Sequence, residues 1–449
     1  MLTIKIPSNH LAERQYIIEV IFVDFLGLEI ILLPNELETE TTIQLDNNNQ
    51  IIIEDHFFSK YHELDYLQPS SIPNIISYFL HPQVPFLPEK NLPILYGRNF
   101  FTLSNTEISC GADIFASAFF MLSRWEEYVV PTRDQHNRFP FSASLACKFD
   151  FHHRPIVNEY VEFLWSMLQH LGYQGKRKER KYEVVVTHDV DVPLFWKHPT
   201  DILKKIGGDI IKRASLTNLQ FTCKSYFETI LKGGKDPYDT FDFLMDVSER
   251  HNLTSHFYFL VGGITRYDKG HLPPNHPFIQ TLFQKIDARG HIIGFHPSYA
   301  TLNNPTLFKQ ELETLRRWAP QEIREGRQHF LRFEVPNTWE NWEDNGFVKE
   351  SSVYYAEKPG FRCGTCYDFR VFNFLKRVPL ELREMPLTVM EVSLYTYAIN
   401  KQRNIVSEIS ALAVKVKKYY GEFTMLWHNS ILRKNKKDYE SSIEALLIH

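Results

Sequence analysis

The C-terminal part of this chain alternates short apolar runs of strand length with longer segments in which apolar residues recur at helical spacing. This alternation predicts parallel strands joined by helices, as in an α/β sheet or barrel. The helices include HPFIQTLFQKIDARG, closed by Gly290, and SEISALAVKVKKYYG, opened by Ser407 and closed by Gly421. The predicted strands are YEVVVTHD, SHFYFLVGG, HIIGFHPSY, RQHFLRFEV and FTMLWHNS.

The N-terminal part follows a different pattern. Short strand-like pieces such as TTIQL and QIIIED precede a predicted helix, DIFASAFFMLSRWEEY, with Asp113 as its N-cap. The charged run GKRKERK at 175–181 separates a further helical pattern, VNEYVEFLWSMLQHLGY, from the strand YEVVVTHD. Because such runs are usually solvated linkers, we predict a smaller α+β domain over residues 1–178 and an α/β domain over residues 179–449.

Charge and cysteine content narrow the class of protein. The 449 residues hold 50 Lys and Arg against 54 Asp and Glu, so the chain has no basic field of the kind that nucleic acid requires. Acidic residues interrupt the apolar N-terminal segment, which predicts neither a signal peptide nor a membrane span. The five cysteines are too scattered for a disulfide framework, and the lone CxxC of Cys363 and Cys366 is expected in an ordinary loop or strand pair. A cytoplasmic location is therefore expected.

Charged side chains follow four of the predicted strands. Asp189 and Asp191 end the first, and the others end in His296, Arg332 and His428. The carboxyl ends of parallel strands meet at one edge of a sheet, which is where ligands bind in α/β proteins. Side chains two residues apart share a face, so the two aspartates should lie together, with His188 and Val190 turned away.

These motifs resemble a known family. THDVD, GHIIGFHPS, FLRFEVP and FTMLWH, in this order over residues 180–445, are similar to the polysaccharide deacetylases of the NodB-homology type, carbohydrate esterase family 4. Within that family, the chain most resembles bacterial members with an extra N-terminal domain. The resemblance implies an incomplete (β/α) barrel and a hydrolase that removes N- or O-acetyl groups from a sugar or polysaccharide with a divalent metal, expected to be zinc.

The resemblance also implies roles for individual residues. Asp189 corresponds to the general base and Asp191 to a metal ligand. His296 matches the first metal histidine, while Arg332 matches the arginine that holds the base in place. His428 matches the histidine that protonates the leaving group.

The chain departs from the family pattern at Ala300, where the family has its second metal histidine. Catalytic zinc sites normally have three protein ligands and a water. We predict that His329 is the third ligand, in preference to Glu334, because imidazole suits zinc and restores a set of one aspartate and two histidines. In a regular strand His329 and Arg332 would face opposite sides, so this prediction requires an irregularity between them.

Other interpretations remain open. The two aspartates could form a turn or helix cap, and His296 and His329 could be ordinary buried histidines. A catalytically silent homologue that binds glycans or acts as a scaffold is favoured by Ala300 and opposed by the presence of Asp189, Arg332 and His428. A glycoside hydrolase is less favoured, because its two carboxylates are expected on separate strand ends, whereas Asp189 and Asp191 share one strand. The expected substrate is an acetylated carbohydrate, such as an activated or lipid-linked sugar within the cell.

Overall fold

The protein is described from a computed structural model that covers residues 1–212, 214–396 and 404–448. It forms two compact units. In their described parts, the first unit comprises Met1–Glu183, Phe330–Lys401 and Ala411–Thr424, and the second comprises Val184–His329, Gln402–Ser410 and Met425–His449. A division into domains at residues 178 and 179 stays a prediction.

The described strands, in chain order, are β1 Leu2–Pro7, β2 Ile30–Asn35, β3 Thr41–Gln44, β4 Gln50–Ile53, β5 Ser77–Leu80, β6 Asn91–Ile94, β7 Gly97–Leu103, β8 Glu107–Ala112, β9 Glu183–Val190, β10 Ser255–Leu260, β11 Ile292–His296, β12 Glu325–Gly326, β13 Lys349–Glu350, β14 Phe369–Asn373, β15 Val378–Glu384, β16 Val389–Met390 and β17 Glu422–Leu426.

The described α-helices are α1 Leu11–Glu19, α2 Ile114–Ser123, α3 Glu126–Val129, α4 Leu145–Lys148, α5 Ile156–His170, α6 Asp201–Gly207, α7 Leu216–Tyr226, α8 Phe241–Arg250, α9 Pro277–Ala288, α10 Pro305–Trp318, α11 Asn337–Asp344, α12 Glu391–Thr396, α13 Ile405–Lys418 and α14 Leu432–Leu447.

The first unit contains a mixed six-stranded sheet in the order β2-β1-β3-β4-β8-β7. The strands β1 and β2 pair in parallel, while β3 pairs antiparallel with both β1 and β4. The helix predicted from DIFASAFFMLSRWEEY starts as expected, because the Asp113 carboxylate accepts a hydrogen bond from the Ala116 N–H. It ends at Ser123, since Arg124 adopts a left-handed conformation with φ 55°.

The second unit is built on parallel strands, as the alternating pattern predicts. Its strands follow the order β12-β11-β10-β9-β17. Tyr258 of β10 pairs with Asp189 of β9, and Leu260 pairs with His296 of β11. This register brings the carboxyl ends of β9 and β11 to the same edge of the sheet. The unit is therefore mixed α/β, and closure of the sheet into an incomplete barrel stays a prediction.

The prediction of a strand from RQHFLRFEV is wrong. The strand β12 ends at Gly326, before this segment, and a short 3-10 turn covers His329–Leu331. Phe330 and Leu331 have φ values of 61° and 54°. Left-handed backbone bends an extended chain, so the alternation of sides that a strand imposes does not hold between His329 and Arg332.

Most of the other predicted elements are confirmed. The strands YEVVVTHD, SHFYFLVGG, HIIGFHPSY and FTMLWHNS correspond to β9, β10, β11 and β17. The helix of SEISALAVKVKKYYG begins at Ile405, two residues before Ser407, and the Asn404 side chain accepts a hydrogen bond from the Val406 N–H. Cys363 and Cys366 are buried free thiols. Within the described residues, no helix has the length and apolar character required to cross a bilayer.

Candidate metal and catalytic site

The strand β9 delivers two aspartates to the sheet edge. Its last residues are buried, as the β-branched run predicts, and Asp189 is itself 3% exposed. His188 faces the other way: its Nδ1 donates to the Trp427 carbonyl at 2.8 Å, and its Nε2 lies 3.3 Å from Ser255 Oγ. Burial lowers the pKa of His188 to about 3, which keeps this ring neutral. His188 is therefore structural, and the predicted strand parity is confirmed.

His296 ends β11 and turns one ring nitrogen toward both aspartates. Its Nε2 lies 3.1 Å from Asp191 Oδ1 and 3.7 Å from Asp189 Oδ2. Its Nδ1 lies 2.6 Å from the carbonyl oxygen of Arg327. Because a carbonyl only accepts hydrogen bonds, Nδ1 carries a proton, and Nε2 is the ring nitrogen that faces the aspartates.

His329 approaches the same carboxylate from the turn after β12. Its Nε2 lies 3.7 Å from Asp191 Oδ1, and its Nδ1 lies 3.0 Å from Asp268 Oδ1. The side chain of Asp268 is fully buried, and this carboxylate also accepts hydrogen bonds from Thr265 and from the Tyr299 N–H. Asp268 thus orients the ring of His329, in the way that an outer carboxylate commonly orients a metal-binding histidine.

Three potential ligands therefore converge. One ligand atom from each of Asp191, His296 and His329 lies within 4.8 Å of the other two. Zinc bonds of about 2.0–2.2 Å in a tetrahedral site place neighbouring ligand atoms about 3.3–3.6 Å apart. The separations of 3.1 and 3.7 Å from Asp191 Oδ1 bracket that range. The one-aspartate, two-histidine set thus fits a divalent cation, with His329 in place of the histidine absent at Ala300.

The electrostatics of the cluster also favour a cation. Asp191 Oδ1 is buried and has no hydrogen-bond partner. Burial acts to raise the pKa of Asp191, but the His329 and His296 rings outweigh it and hold that pKa well below its usual value. Burial acts to lower the pKa of His329, whereas the carboxylates of Asp191 and Asp268 raise it to about 9. The surroundings of Asp191 thus stabilise positive charge at this point.

Asp189 is held by an arginine that the sequence did not single out. Arg327, which is fully buried, places Nη1 2.8 Å from Asp189 Oδ1 and 3.0 Å from Thr187 Oγ1. Arg332, which was predicted for this contact, belongs to the other unit, where its Nε donates to the His136 carbonyl at 2.9 Å. The predicted arginine was displaced because the strand through RQHFLRFEV does not form.

His428 lies where the sequence predicts, just after β17. Its Nε2 is 3.7 Å from Asp191 Oδ2, whereas the shortest contacts of His296 and His329 with this carboxylate are to Oδ1. Its side chain is 16% exposed, while those of His296 and His329 are 1% and 3% exposed. Of the three rings, His428 is the one within reach of a molecule that enters from solvent.

A weak sequence signal pointed to Arg327. Arg327 and His329 are two residues apart, the same spacing as Asp189 and Asp191, which favours a shared side wherever the chain is extended. Asp268 carried no such signal, because it lies in a loop after β10 with no regular pattern.

A second group of ligand-type residues occurs in the first unit. Asp150, His152 and His153 also bring three ligand atoms within 4.8 Å of one another. The side chain of Asp150 is 84% exposed, and its Oδ1 lies 3.6 and 3.9 Å from the two Nδ1 atoms. Lys415 donates to the His153 carbonyl at 2.7 Å, so a positive charge already lies beside this group.

Comparisons with known proteins give limited similarity. A family model described as "Family of unknown function (DUF7033)" matches residues 2–173. No curated protein matches the chain. A solved structure from Mycobacterium smegmatis, described as a proposed polysaccharide deacetylase, is 13% identical with a TM-score of 0.37, over 60% of this chain and 86% of that one. A Bacillus anthracis structure, described as a CE4 family pseudoenzyme, is 12% identical with a TM-score of 0.28, over 59% of this chain and 60% of that one. At this level of similarity, function is inferred from the site itself.

Proposed function

We propose that the second unit is a metal-dependent hydrolase that removes acetyl groups from an N- or O-acetylated sugar or polysaccharide intermediate. The observation that carries this proposal is the convergence of two histidine Nε2 atoms on Asp191 Oδ1, a buried oxygen without a hydrogen-bond partner. A base, Asp189, lies beside this cluster, and a more exposed histidine, His428, lies across it. A metal site, a general base and a general acid together supply what metal-assisted hydrolysis of an amide or ester uses.

Asp191, His296 and His329 would hold the cation, for which zinc is the expected metal. When bound, a divalent metal lowers the pKa of water and polarises the acetyl carbonyl. The two histidines are prepared for this role because each donates its Nδ1 proton elsewhere, to the Arg327 carbonyl and to Asp268. Their orientation is thereby set before any ligand enters.

Asp189 is the proposed general base. Arg327 binds its Oδ1, which fixes the carboxylate and leaves Oδ2 facing the cluster, 3.7 Å from His296 Nε2. This oxygen accepts the proton of the attacking water. Arg327 acts through Asp189 as a positioning residue, the role for which Arg332 was predicted from sequence.

His428 is the proposed general acid. As the most exposed of the three histidines, it gives a proton to the departing amine or alcohol. Protonation matters most when the leaving group is poor. His428→Ala should therefore slow release of acetate from an acetamido sugar far more than from an activated aryl acetate. An equal loss on both substrates would assign His428 a structural role.

The decisive experiment measures bound metal and acetate release in the same preparation. We expect about one zinc per chain, acetate release from acetylated oligosaccharides, and loss of both in Asp191→Asn. Stoichiometric metal without acetate release, across N- and O-acetylated sugars, would favour the silent glycan-binding homologue. Absence of bound divalent metal in the purified protein would contradict the proposal.

A matched pair of variants distinguishes the roles of Arg327 and Arg332. Arg327→Gln should lower turnover, because it releases Asp189 and leaves a buried carboxylate without its partner. Added guanidinium should restore part of that activity. Arg332→Gln should leave turnover near the wild-type value, whereas the reverse result would return the positioning role to Arg332.

A further inference from the structure

A pair of helices in the second unit has an unusual surface. Residues 201–232, here called the basic hairpin, contain α6 and α7, which continue as wider π-helical turns to Lys212 and to Leu231. Asp209 joins the two helices: its carboxylate accepts from Thr222 Oγ1 at 2.5 Å, and its carbonyl accepts from the Ser215 N–H at 3.1 Å. The hairpin therefore has an internal polar contact.

The second helix of the basic hairpin, α7, buries polar residues and exposes apolar ones. Its buried residues include Thr222 and Ser225, both polar. A stripe at helical spacing faces solvent instead, and Leu216, Phe227 and Leu231 on it are 78%, 48% and 63% exposed. Gln220 and Cys223 complete this stripe. A helix that packs only within its own protein normally buries its apolar stripe, so this arrangement indicates an apolar partner outside the chain.

The first helix of the hairpin also exposes large apolar side chains. Leu203, Ile210 and Ile211 are 77%, 56% and 82% exposed. Single exposed apolar side chains are common on proteins, but six large ones within one short hairpin are not, and such patches mark interaction sites.

Basic residues accompany this apolar surface. The sequence of the hairpin has six Lys or Arg against three Asp or Glu. All three acids have partners: Asp201 accepts from the His198 N–H, Asp209 accepts from Thr222, and Glu228 pairs with Lys232 at 3.3 Å. The basic residues are Lys204, Lys205, Lys212, Arg213, Lys224 and Lys232. Exposed large apolar side chains on a basic helix pair are the signature of a helix that lies in the plane of an anionic membrane surface.

We propose that the basic hairpin docks on an anionic lipid bilayer, with its exposed apolar side chains in the interface and the exposed Lys204, Lys224 and Lys232 at the lipid headgroups. The hairpin packs against the segment that follows Asp191 in the chain. Phe195, four residues after Asp191, packs its ring 5.5 Å from that of Phe221 in α7 and 3.6 Å from Lys205 Nζ. If the proposed hydrolase function holds, docking brings the site to substrates attached to membrane lipids. Docking itself does not depend on that function.

Vesicle binding tests the proposal directly. The full-length protein should sediment with vesicles of phosphatidylcholine and phosphatidylglycerol, bind weakly to phosphatidylcholine alone, and lose binding as salt rises. The triple variant Leu203→Ser, Ile211→Ser, Leu216→Ser should bind the anionic vesicles on the order of tenfold or more weakly, because each buried CH₂ contributes about 0.8 kcal/mol. These side chains are mostly in water, so the fold should tolerate the changes.

A matched control places the same change elsewhere. Leu37, Ile75 and Val414 are 88%, 83% and 66% exposed in the first unit, and their triple serine variant should bind vesicles as the wild type does. Failure of the wild-type protein to bind anionic vesicles at low salt would overturn the proposal, as would equal binding by the hairpin variant. A wild-type dimer that the hairpin variant converts to monomer, without vesicle binding, would assign the surface to a second copy instead.

Cys223 offers a second measurement that does not change the apolar residues. It is the exposed cysteine of the stripe, and Cys147→Ser removes the half-buried thiol from competition. A polarity-sensitive dye on Cys223 should shift its emission to the blue when anionic vesicles are added. Sedimentation with vesicles but no spectral shift would place the membrane contact on another surface. Neither readout depends on acetate release, so failure of docking and failure of the hydrolase proposal are distinguishable.

Discussion

Asp191, His296 and His329 in the second unit, and Asp150, His152 and His153 in the first, each bring three ligand atoms within 4.8 Å of one another. Their surroundings differ. In the Asp191 group, the Nδ1–H of each histidine donates to a fixed acceptor. In the Asp150 group, His152 Nδ1 is buried without a hydrogen-bond partner.

The difference extends to charge. Asp268 adds a second carboxylate beside His329, while burial, followed by His153, Lys358 and Lys415, lowers the pKa of His152. One environment favours a cation and the other favours neutral imidazole. Proximity of ligand atoms is therefore insufficient to identify a metal site, and the partners behind the ligands distinguish the two groups.

The largest expected difference between the two groups is in zinc affinity when one histidine is removed from each. His329→Ala should lower zinc affinity by more than the roughly 10–100-fold that loss of an outer partner costs, because it removes a ligand itself. His153→Ala should leave zinc content unchanged. Zinc titration against a competing chelator measures both. Equal losses in the two variants would show that the groups bind metal alike.

The aspartates of the two units give the next contrast. Asp189→Asn should retain zinc and lower turnover by a factor of about a hundred or more, the scale of general-base catalysis. Asp150→Asn should leave turnover unchanged, since this exposed carboxylate lies outside the proposed site. Wild-type turnover in zinc-loaded Asp189→Asn protein would exclude Asp189 as the base.

Strand periodicity explains which parts of the site were predictable. Asp189, Asp191, His296 and His428 lie at the ends of strands that form as predicted or just after them, and parallel pairing brings these strand ends together. The geometry of such positions is local, because alternation and strand register set it.

Tertiary contacts explain the rest. Arg327 replaced Arg332 beside Asp189 because left-handed residues at Phe330 and Leu331 end the extended segment. His329 reached Asp191 because it lies before that bend, and Asp268 supports it from a loop more than sixty positions away in sequence. No periodicity encodes a loop contact of this kind, which depends on how the segments pack.

Loss of the carboxylate behind His329 should have a smaller effect than loss of the ligand. Asp268→Asn keeps the size of the side chain but removes the charge that orients and polarises the ring, so zinc affinity should fall by about tenfold or more. Asp209→Asn is the matched control, a buried carboxylate of the same unit that accepts from Thr222 Oγ1 at 2.5 Å. A fall as large in Asp209→Asn would show that general loss of buried charge, rather than the contact to His329, is responsible.

The smallest expected effect is the pH dependence of stability that His152 gives to the first unit. Burial lowers the pKa of His152 from its usual 6.5 to about 4, and His153, Lys358 and Lys415 act in the same direction, while Asp150 opposes them. The folded state therefore binds fewer protons than the unfolded state between these two pH values. Stability from the neutral ring is complete above pH 6.5 and is lost as the pH falls toward 4.

Each pKa unit corresponds to about 1.36 kcal/mol, and partial exposure of the ring reduces the full contribution to about 1–2 kcal/mol. His152→Gln removes the titrating group, so its free energy of unfolding should fall less between pH 7 and pH 4 than that of the wild type by this amount. Urea unfolding of the metal-free proteins at both pH values measures the difference. An identical fall in the two proteins would mean that His152 is protonated as readily in the folded chain as in the unfolded one, and the contrast between the two groups would then rest on the ligand partners alone.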